Sequence, residues 1–247
     1  MIEVEALYER HGKQLYNLAL RMTGRRDTAE DVVHEVFVRV IEHAADFRGE
    51  SSLYTWLFSI TRNVCVRLNQ RSVRGLEKAI EAATSDPPRS FSDELERAFY
   101  VDQVKDGCLT GLLQCLSFYQ RIAFIMSVLF EVPTTDIAEM LGKTANSVRV
   151  LVSRAKSNIR SFLCANCSHY EPSNRCRCEN MVDFSIRHGL ISEHDPSVSP
   201  SAVQAELKDL RTEVELYQSL KTHEPPAAFL DRLRSRDDLK LMSPGKR

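Results

Sequence analysis

Apolar side chains recur at three- and four-residue intervals over most of the first 163 residues of this chain, and few breakers interrupt them. Such spacing gives each segment one apolar face as a helix, and those faces must bury against one another. Nine Gly and nine Pro in 247 residues are few for a sheet protein rich in turns, whereas long runs of Leu, Val, Ala, Arg and Glu favour helix. The fold class read from this pattern is all-α. A hydrophobic content of 43% with 27% charge is ordinary for a globular protein, so the chain need not be disordered or fibrous. No run of 18 apolar residues occurs, and the opening MIEVEALYER lacks a basic segment followed by an apolar one. Neither a membrane span nor a signal peptide is therefore expected, and the expected compartment is the cytoplasm.

Three helices are expected first. Val4, Leu7, Leu15, Leu18, Ala19 and Met22 share a face up to Thr23 and Gly24, where the glycine supplies a left-handed end. A second helix is expected from Asp27, which with Glu30 has the spacing of a capping box, through Val32, Val33, Val36, Phe37, Val40 and Ile41. A polar loop from Phe47 to Ser52 precedes a third, with an apolar stripe of Leu53, Trp56, Leu57, Ile60, Val64 and Leu68 and with Arg62, Asn63, Arg67 and Arg71 off that stripe. The stretch EAATSDPPRSFSD carries a Pro pair among small polar residues and reads as a linker. Periodicity then resumes through Leu95, Phe99, Val104 and Leu109, is expected to break or bend near Gly111, and returns through Ile122, Ile125, Met126 and Leu129 until Pro133.

The net charge of −1 conceals two basic patches. Between positions 48 and 78, Arg48, Arg62, Arg67, Arg71, Arg74 and Lys78 oppose only Glu50 and Glu77. Between positions 134 and 163, Lys143, Arg149, Arg154, Lys156 and Arg160 oppose Asp136 and Glu139. Two separated patches suit a protein that touches a polyanion twice; solvated helix faces are the plainer reading of either one alone. The second patch lies in TTDIAEMLGKTANSVRVLVSRAKSNIRSFL, where small Ala138, then Gly142, then Val148 have the spacing of a helix-turn-helix.

Together the two halves resemble the extracytoplasmic-function sigma factors. The stretch LYERHGKQLYNLALRMTGRRDTAEDVVHEVFVRVIEHAADFRGESSLYTWLFSITRNVCVRLNQR is similar to region 2 of that family, with its Asp-x-x-Gln-Glu-x-Phe core and its Trp-Leu-(five residues)-Asn helix. The stretch IAFIMSVLFEVPTTDIAEMLGKTANSVRVLVSRAKSNIRSFL is similar to region 4. The resemblance implies a protein that directs RNA polymerase core to promoters, promotes melting of the DNA and catalyses no reaction itself. It implies that Asp31, Glu35 and Arg39 on the second helix meet the polymerase β′ subunit, with β as a further contact. It implies that Arg48, Gly49, Glu50, Ser51, Trp56, Arg62, Asn63 and Arg67 hold the melted minus-10 strand, with Asn63 as base reader and Trp56 divided between core packing and base contact. It implies that Lys143, Thr144, Asn146, Ser147, Arg149 and Arg154 meet the minus-35 major groove. Two departures stand out: His34 replaces the usual Gln, and Val150-Leu151 replaces a frequent Ser-Arg, with Val150 off the apolar phase.

The expected organisation is region 2 over 1–75, a linker over 76–91, region 4 over 92–163, a Cys-rich extension over 164–190 and a helical tail over 191–247. Four of the seven cysteines, Cys164, Cys167, Cys176 and Cys178, stand in the extension as Cys-x-x-Cys and Cys-x-Cys. That arrangement suits one tetrahedral zinc ion, with His169 or His188 able to replace a thiolate. Unliganded thiols and a redox disulfide switch are the alternatives. Cys65, Cys108 and Cys115, in helical apolar contexts, are expected to be inert small hydrophobes. The tail repeats an amphipathic pattern at Val203, Leu207, Leu210, Val214, Leu216 and Leu220; it could cover the sigma domains, act in place of an anti-sigma factor, or bind a partner. Two other functions compete: a helix-turn-helix regulator that works without polymerase, and a thiol redox or zinc enzyme, for which no acid/base constellation accompanies the cysteines.

Overall fold

The structure is a computed structural model that describes residues 4–43, 53–66, 73–85, 89–188, 190–191, 217–218, 220 and 222–226. Its elements are α1 (Val4–Thr23), α2 (Arg26–Glu42), α3 (Leu53–Cys65), α4 (Val73–Thr84), α5 (Glu94–Leu113) and α6 (Phe118–Phe124), which continues as a π-turn over Ile125–Leu129. Then come α7 (Thr134–Leu141), α8 (Ala145–Asn166), a 3-10 turn at Cys178–Met181 and α9 (Val182–Arg187). Among the described residues the sole extended pairing is an isolated parallel bridge between Cys167 and Cys176. The all-α class follows from the sequence pattern and holds.

Packing divides the chain into two units, one of Met1–Asn69, Val132–Val148 and Thr222–Arg247, the other of Gln70–Glu131 and Arg149–Lys221. In the first unit α1 buries Leu15, Leu18, Ala19 and Met22 against Val33, Val36, Phe37 and Val40 of α2. The Tyr8 ring leans on Phe37, with centroids 5.5 Å apart. Gly24 ends α1 at φ 71°, its N–H donating to Leu20 O at 2.8 Å, as the left-handed end required. The start of α2 differs from expectation. Arg25, in extended conformation, is the N-cap and makes no side-chain cap. The carboxylate of Asp27 is already taken by Arg25 (Nε to Oδ1 3.0 Å) and by the Thr28 N–H (2.6 Å), so no capping box with Glu30 forms.

On α3 the buried face is Thr55, Leu57, Phe58, Thr61 and Cys65, rotated from the expected stripe; Leu53, Trp56, Ile60 and Val64 are half-buried. Thr61 enters the core because its hydroxyl donates to Leu57 O at 2.9 Å, which removes the cost of a buried polar group. Leu68, the last residue of that stripe, lies outside the described residues.

In the second unit α4 occupies much of the stretch expected to be linker, burying Ile80 and Ala83. The Pro pair stands beyond its end. Helix α5 passes straight through Gly111, and the break comes at Gln114–Ser117 instead. A Cβ at Gly111 would meet nothing within 4 Å, so this glycine answers to no close approach. What holds the break is Arg121. Its guanidinium, 1% exposed, donates to Gln114 Oε1 (2.6 Å), Gln114 O (2.9 Å) and Leu116 O (3.2 Å). A cation at the end of α5 thereby satisfies carbonyls that have no partner within the helix and meets the negative end of its dipole. Tyr217, from the tail, is fully buried in the same unit, its OH donating to Leu109 O at 2.9 Å and its ring edge-on to Phe124. The expected tail helix otherwise lies outside the described residues.

Replacing Arg121 with Met should therefore cost about 2–4 kcal/mol, because it strands buried carbonyls, whereas Gln114→Ala should cost only about 1 kcal/mol. Urea unfolding of the two variants checks the order and the size of the gap.

Candidate nucleic-acid interface

Helix α7 buries Ile137, Ala138, Met140 and Leu141 and ends at Gly142, whose φ of 59° is left-handed. The N–H of Gly142 donates to Glu139 O at 3.1 Å and that of Lys143 to Ala138 O at 2.9 Å, the two bonds of a Schellman end. Thr144 then starts α8: its Oγ1 accepts the Ser147 N–H at 3.1 Å and lies 2.9 Å from the Ser147 hydroxyl. Val148 is buried, while Asn146, Ser147, Arg149, Val150 and Arg154 are exposed and Lys143 is half-buried. The sequence-predicted residues thus share one short surface on the helix-turn-helix. Thr144 and Ser147 serve its geometry by capping, and Asn146, Arg149 and Arg154 project outward. Val150, 41% exposed, adds an apolar side chain to that face.

On α3, Asn63 is exposed and Arg62 half-buried. Arg62 donates to Asn63 Oδ1 from Nε (3.1 Å) and Nη2 (2.7 Å), and from Nη1 to Met140 O of α7 at 3.0 Å. Asn63, expected to read the melted strand, and Arg62, expected to hold it, are thus bound to each other and, through Arg62, to the C-terminal turn of α7. Trp56 is half-buried; its carbonyl accepts from the Ser59 hydroxyl at 2.7 Å. Arg48, Gly49, Glu50, Ser51 and Arg67 lie outside the described residues.

On α2, Asp31 is exposed, and Glu35 and Arg39 are half-buried partners one turn apart, Nε to Oε1 2.8 Å. The three line one side of the helix, opposite Val33 and Phe37. Asp27, one turn earlier, keeps a carboxyl held well below the usual range by the Arg25 guanidinium and then by the Thr28 N–H.

Comparison with known proteins decides what this arrangement belongs to. Residues 7–74 match the Sigma-70 region 2 model and residues 106–159 the Sigma-70 region 4 model. The chain belongs to the sigma-70 family. It is 26% identical over 163 residues to the RNA polymerase sigma factor YlaC of Bacillus subtilis, covering 64% of this chain and 90% of YlaC. It is 31% identical over 160 residues to the probable ECF RNA polymerase sigma factor SigI of Mycobacterium tuberculosis, covering 63% of this chain and 54% of SigI. Among solved structures, the sigma factor RpoE bound to the anti-sigma factor NepR from Bartonella quintana aligns over 64% of this chain and 95% of that one, at 20% identity and a TM-score of 0.45. Its relatives make it a sigma factor of the extracytoplasmic-function type, and its function is promoter-specific initiation of transcription. Among the described residues no helix is long and apolar enough to cross a membrane.

The cysteine extension of this sigma factor lies beyond both matched regions. Among the described residues no group of three or more His, Cys, Asp or Glu side chains that could hold a metal ion is present. Cys164, on the last turns of α8, is exposed. Cys167, Cys176 and Cys178 are half-buried, as is Cys108 on α5, expected to be inert. Burial pushes the Cys108 thiol up to about 12, with the Cys176, Cys167 and Cys115 thiols adding to it. Burial raises Cys176 to about 11, and it raises Cys167 and, well above its ordinary value, Cys178. His169 Nε2 stands 3.7 Å from Cys178 Sγ, whereas His188 stacks on Phe184 and is placed by its Nδ1 2.8 Å from Phe184 O.

Because Thr144 closes the first turn of α8, Thr144→Ala should lower thermal stability by about 1 kcal/mol, and Thr144→Ser should restore it. Differential scanning calorimetry of the three proteins tests this; equal stability of all three would show that the cap contributes nothing.

Proposed function

We propose that this sigma factor docks on RNA polymerase core through the Asp31, Glu35 and Arg39 side of α2, holds the melted minus-10 strand with α3, and lays α8 in the minus-35 major groove. The observation that carries this reading is the outward face of α8, where Asn146, Arg149, Val150 and Arg154 project from a helix start held rigid by Gly142 and Thr144. Cationic side chains supply phosphate contacts, Asn146 offers an amide to a base edge, and Val150 offers methyl contact to thymine. Asn63 supplies the same amide chemistry to an unstacked base on α3, and Arg62 beside it a charge for the strand. The polymerase contact is one of mixed charge and gives orientation more than affinity. The factor acts where polymerase acts, in the cytoplasm, and catalyses nothing itself. Its activity is restrained by an anti-sigma factor or by its own C-terminal extension.

The Arg62 bond to Met140 O supports a further feature of this reading. A guanidinium engaged by a backbone carbonyl is less available to a phosphate, so the chain alone should grip promoter DNA weakly and gain grip when core polymerase takes hold of it. A regulator that works without polymerase predicts the reverse. Footprinting on promoter fragments selected by run-off transcription, with and without core, separates the two; tight duplex binding by the chain alone would overturn the proposal. Asn63→Ala should leave core binding intact and weaken open-complex formation by about 1–3 kcal/mol. On a pre-melted template the loss should depend on the base at one position, and an equal loss for every base there would mean that Asn63 reads nothing.

A further inference from the structure

Helix α4 folds in a stretch whose sequence reads largely as linker, and its apolar stripe shows what keeps it folded. Leu76, Ala79, Ile80 and Ala83 stand at i, i+3, i+4 and i+7. Ile80 and Ala83 are buried and Leu76 and Ala79 half-buried, while Glu77, Lys78, Glu81 and Ala82 are exposed. A helix of 12 residues is marginal in water by itself, so this stripe needs a cover to persist. Within the second unit that cover comes from α5 and from the extension, whose 3-10 turn and α9 pack on both α4 and α5. Met181, Val182 and Ser185 of the extension are buried there. Two ion pairs set the packing in register. Arg89, just past the Pro pair, donates from Nη1 to Asp183 Oδ1 of α9 at 2.6 Å and holds its guanidinium 5.0 Å from the centre of the Tyr100 ring on α5. Arg97 on α5 pairs with Glu179 of the 3-10 turn. The chain that leads from α4 into α5 supplies the cations and the extension supplies the carboxylates.

We propose that residues 178–187 act as an intramolecular clamp: they hold α4 on α5, and so keep the connection between the two promoter-binding regions short until the extension lets go. Resting on the promoter reading of α3 and α8, the consequence is mechanical. The minus-10 and minus-35 elements lie about 25 positions apart, roughly 85 Å of duplex at about 3.4 Å each. With α4 clamped, residues 66–72 alone join α3 to it, at most about 25 Å of chain. With α4 released and unwound, residues 66–93 join α3 to α5, about 100 Å at full extension. The closed clamp therefore disfavours simultaneous engagement of both elements, and its opening removes that restriction. Because Met181 and Val182 are buried and the two ion pairs are partly exposed, the hold comes from apolar burial, and the pairs fix its alignment.

Hydrogen exchange of the full chain, mapped by mass spectrometry, reads the clamp without any promoter. In Val182→Asp the amides of residues 76–84 should exchange more than about 10-fold faster than in the wild type, the loss expected from one buried aliphatic side chain, while α1 and α2 exchange as before. Arg97→Gln, which removes only partly exposed pairs, should change them by less than about fivefold. Ala82→Pro breaks α4 from its exposed side and leaves the extension intact. In run-off transcription with core polymerase, Val182→Asp and Ala82→Pro should each give severalfold more transcript than the wild type. Both should also lose less of it when base pairs are added to or removed from the spacer between the two elements. Unchanged exchange of α4 in Val182→Asp would overturn the clamp, and faster exchange with no gain of transcript in either variant would overturn its regulatory role. Transcript lost in Val182→Asp but gained in Ala82→Pro would mark misfolding of the first variant and support the clamp. No transcript from any of the chains, wild type included, would overturn the sigma reading itself, which the exchange measurement does not depend on.

Discussion

The direction in which α8 leaves α7 rests on one residue in a conformation that a side chain resists. At φ 59°, Gly142 turns the chain so that its own N–H and that of Lys143 close back on Glu139 O and Ala138 O. Any residue with a Cβ would be strained there, although the space around the position is open, so the constraint is on backbone angle and not on packing. Two residues later Thr144 begins the next helix with a side-chain cap. Between these two fixed points only Lys143 remains, and the whole exposed face from Asn146 to Arg154 inherits its aim from them. A DNA-reading helix cannot adjust its direction without losing register with base edges, which is why the turn carries more weight than its three residues suggest.

On the proposed reading Arg62 serves two states, one of which the structure holds. Hydrogen bonds to a charged donor are worth about 1.5–3 kcal/mol in net terms, enough to bias α3 toward α7 but within reach of a phosphate contact offered by a polyanion. Asn63 shares the guanidinium through Oδ1 and so is oriented by the same contact. The pair is held in order and not left to search, so on the proposed reading little side-chain entropy is left for strand binding to remove.

Much of the fold was legible because it rests on period and on residues with singular backbone behaviour. The faces of α1, α2, α7 and α8 follow from apolar spacing, and Gly24 and Gly142 end their helices as read. The readings that failed involve competition that spacing does not register. Asp27 could cap α2 only if Arg25 did not already hold it. Thr61 and Cys65 join the α3 core because a hydroxyl bonded to Leu57 O and a small thiol behave as apolar surface, which rotates the buried face away from the pattern of large apolar residues. Gly111 resembles a breaker, yet the break sits where Arg121 gathers carbonyls from a helix end. Among the site residues, exposure on α8 and α2 was legible from phase. The Arg62–Met140 contact joins segments distant in sequence, and no local pattern announces it.

The attachment of the extension is the clearest case of magnitude deciding between contacts. Two ion pairs, Arg89–Asp183 and Arg97–Glu179, catch the eye, but each is roughly one-third exposed and pairs of that kind contribute about 0–1 kcal/mol. Met181 and Val182, in the 3-10 turn and α9, are buried, and each such side chain contributes about 1.5–3 kcal/mol. Apolar burial therefore holds α9 in place, and the ion pairs select its orientation. The loop from Cys167 to Cys178 has no comparable burial: its side chains are polar or half-buried, and backbone bonds such as Ser168 to Cys176 add about 1 kcal/mol apiece against the entropy of ordering each residue.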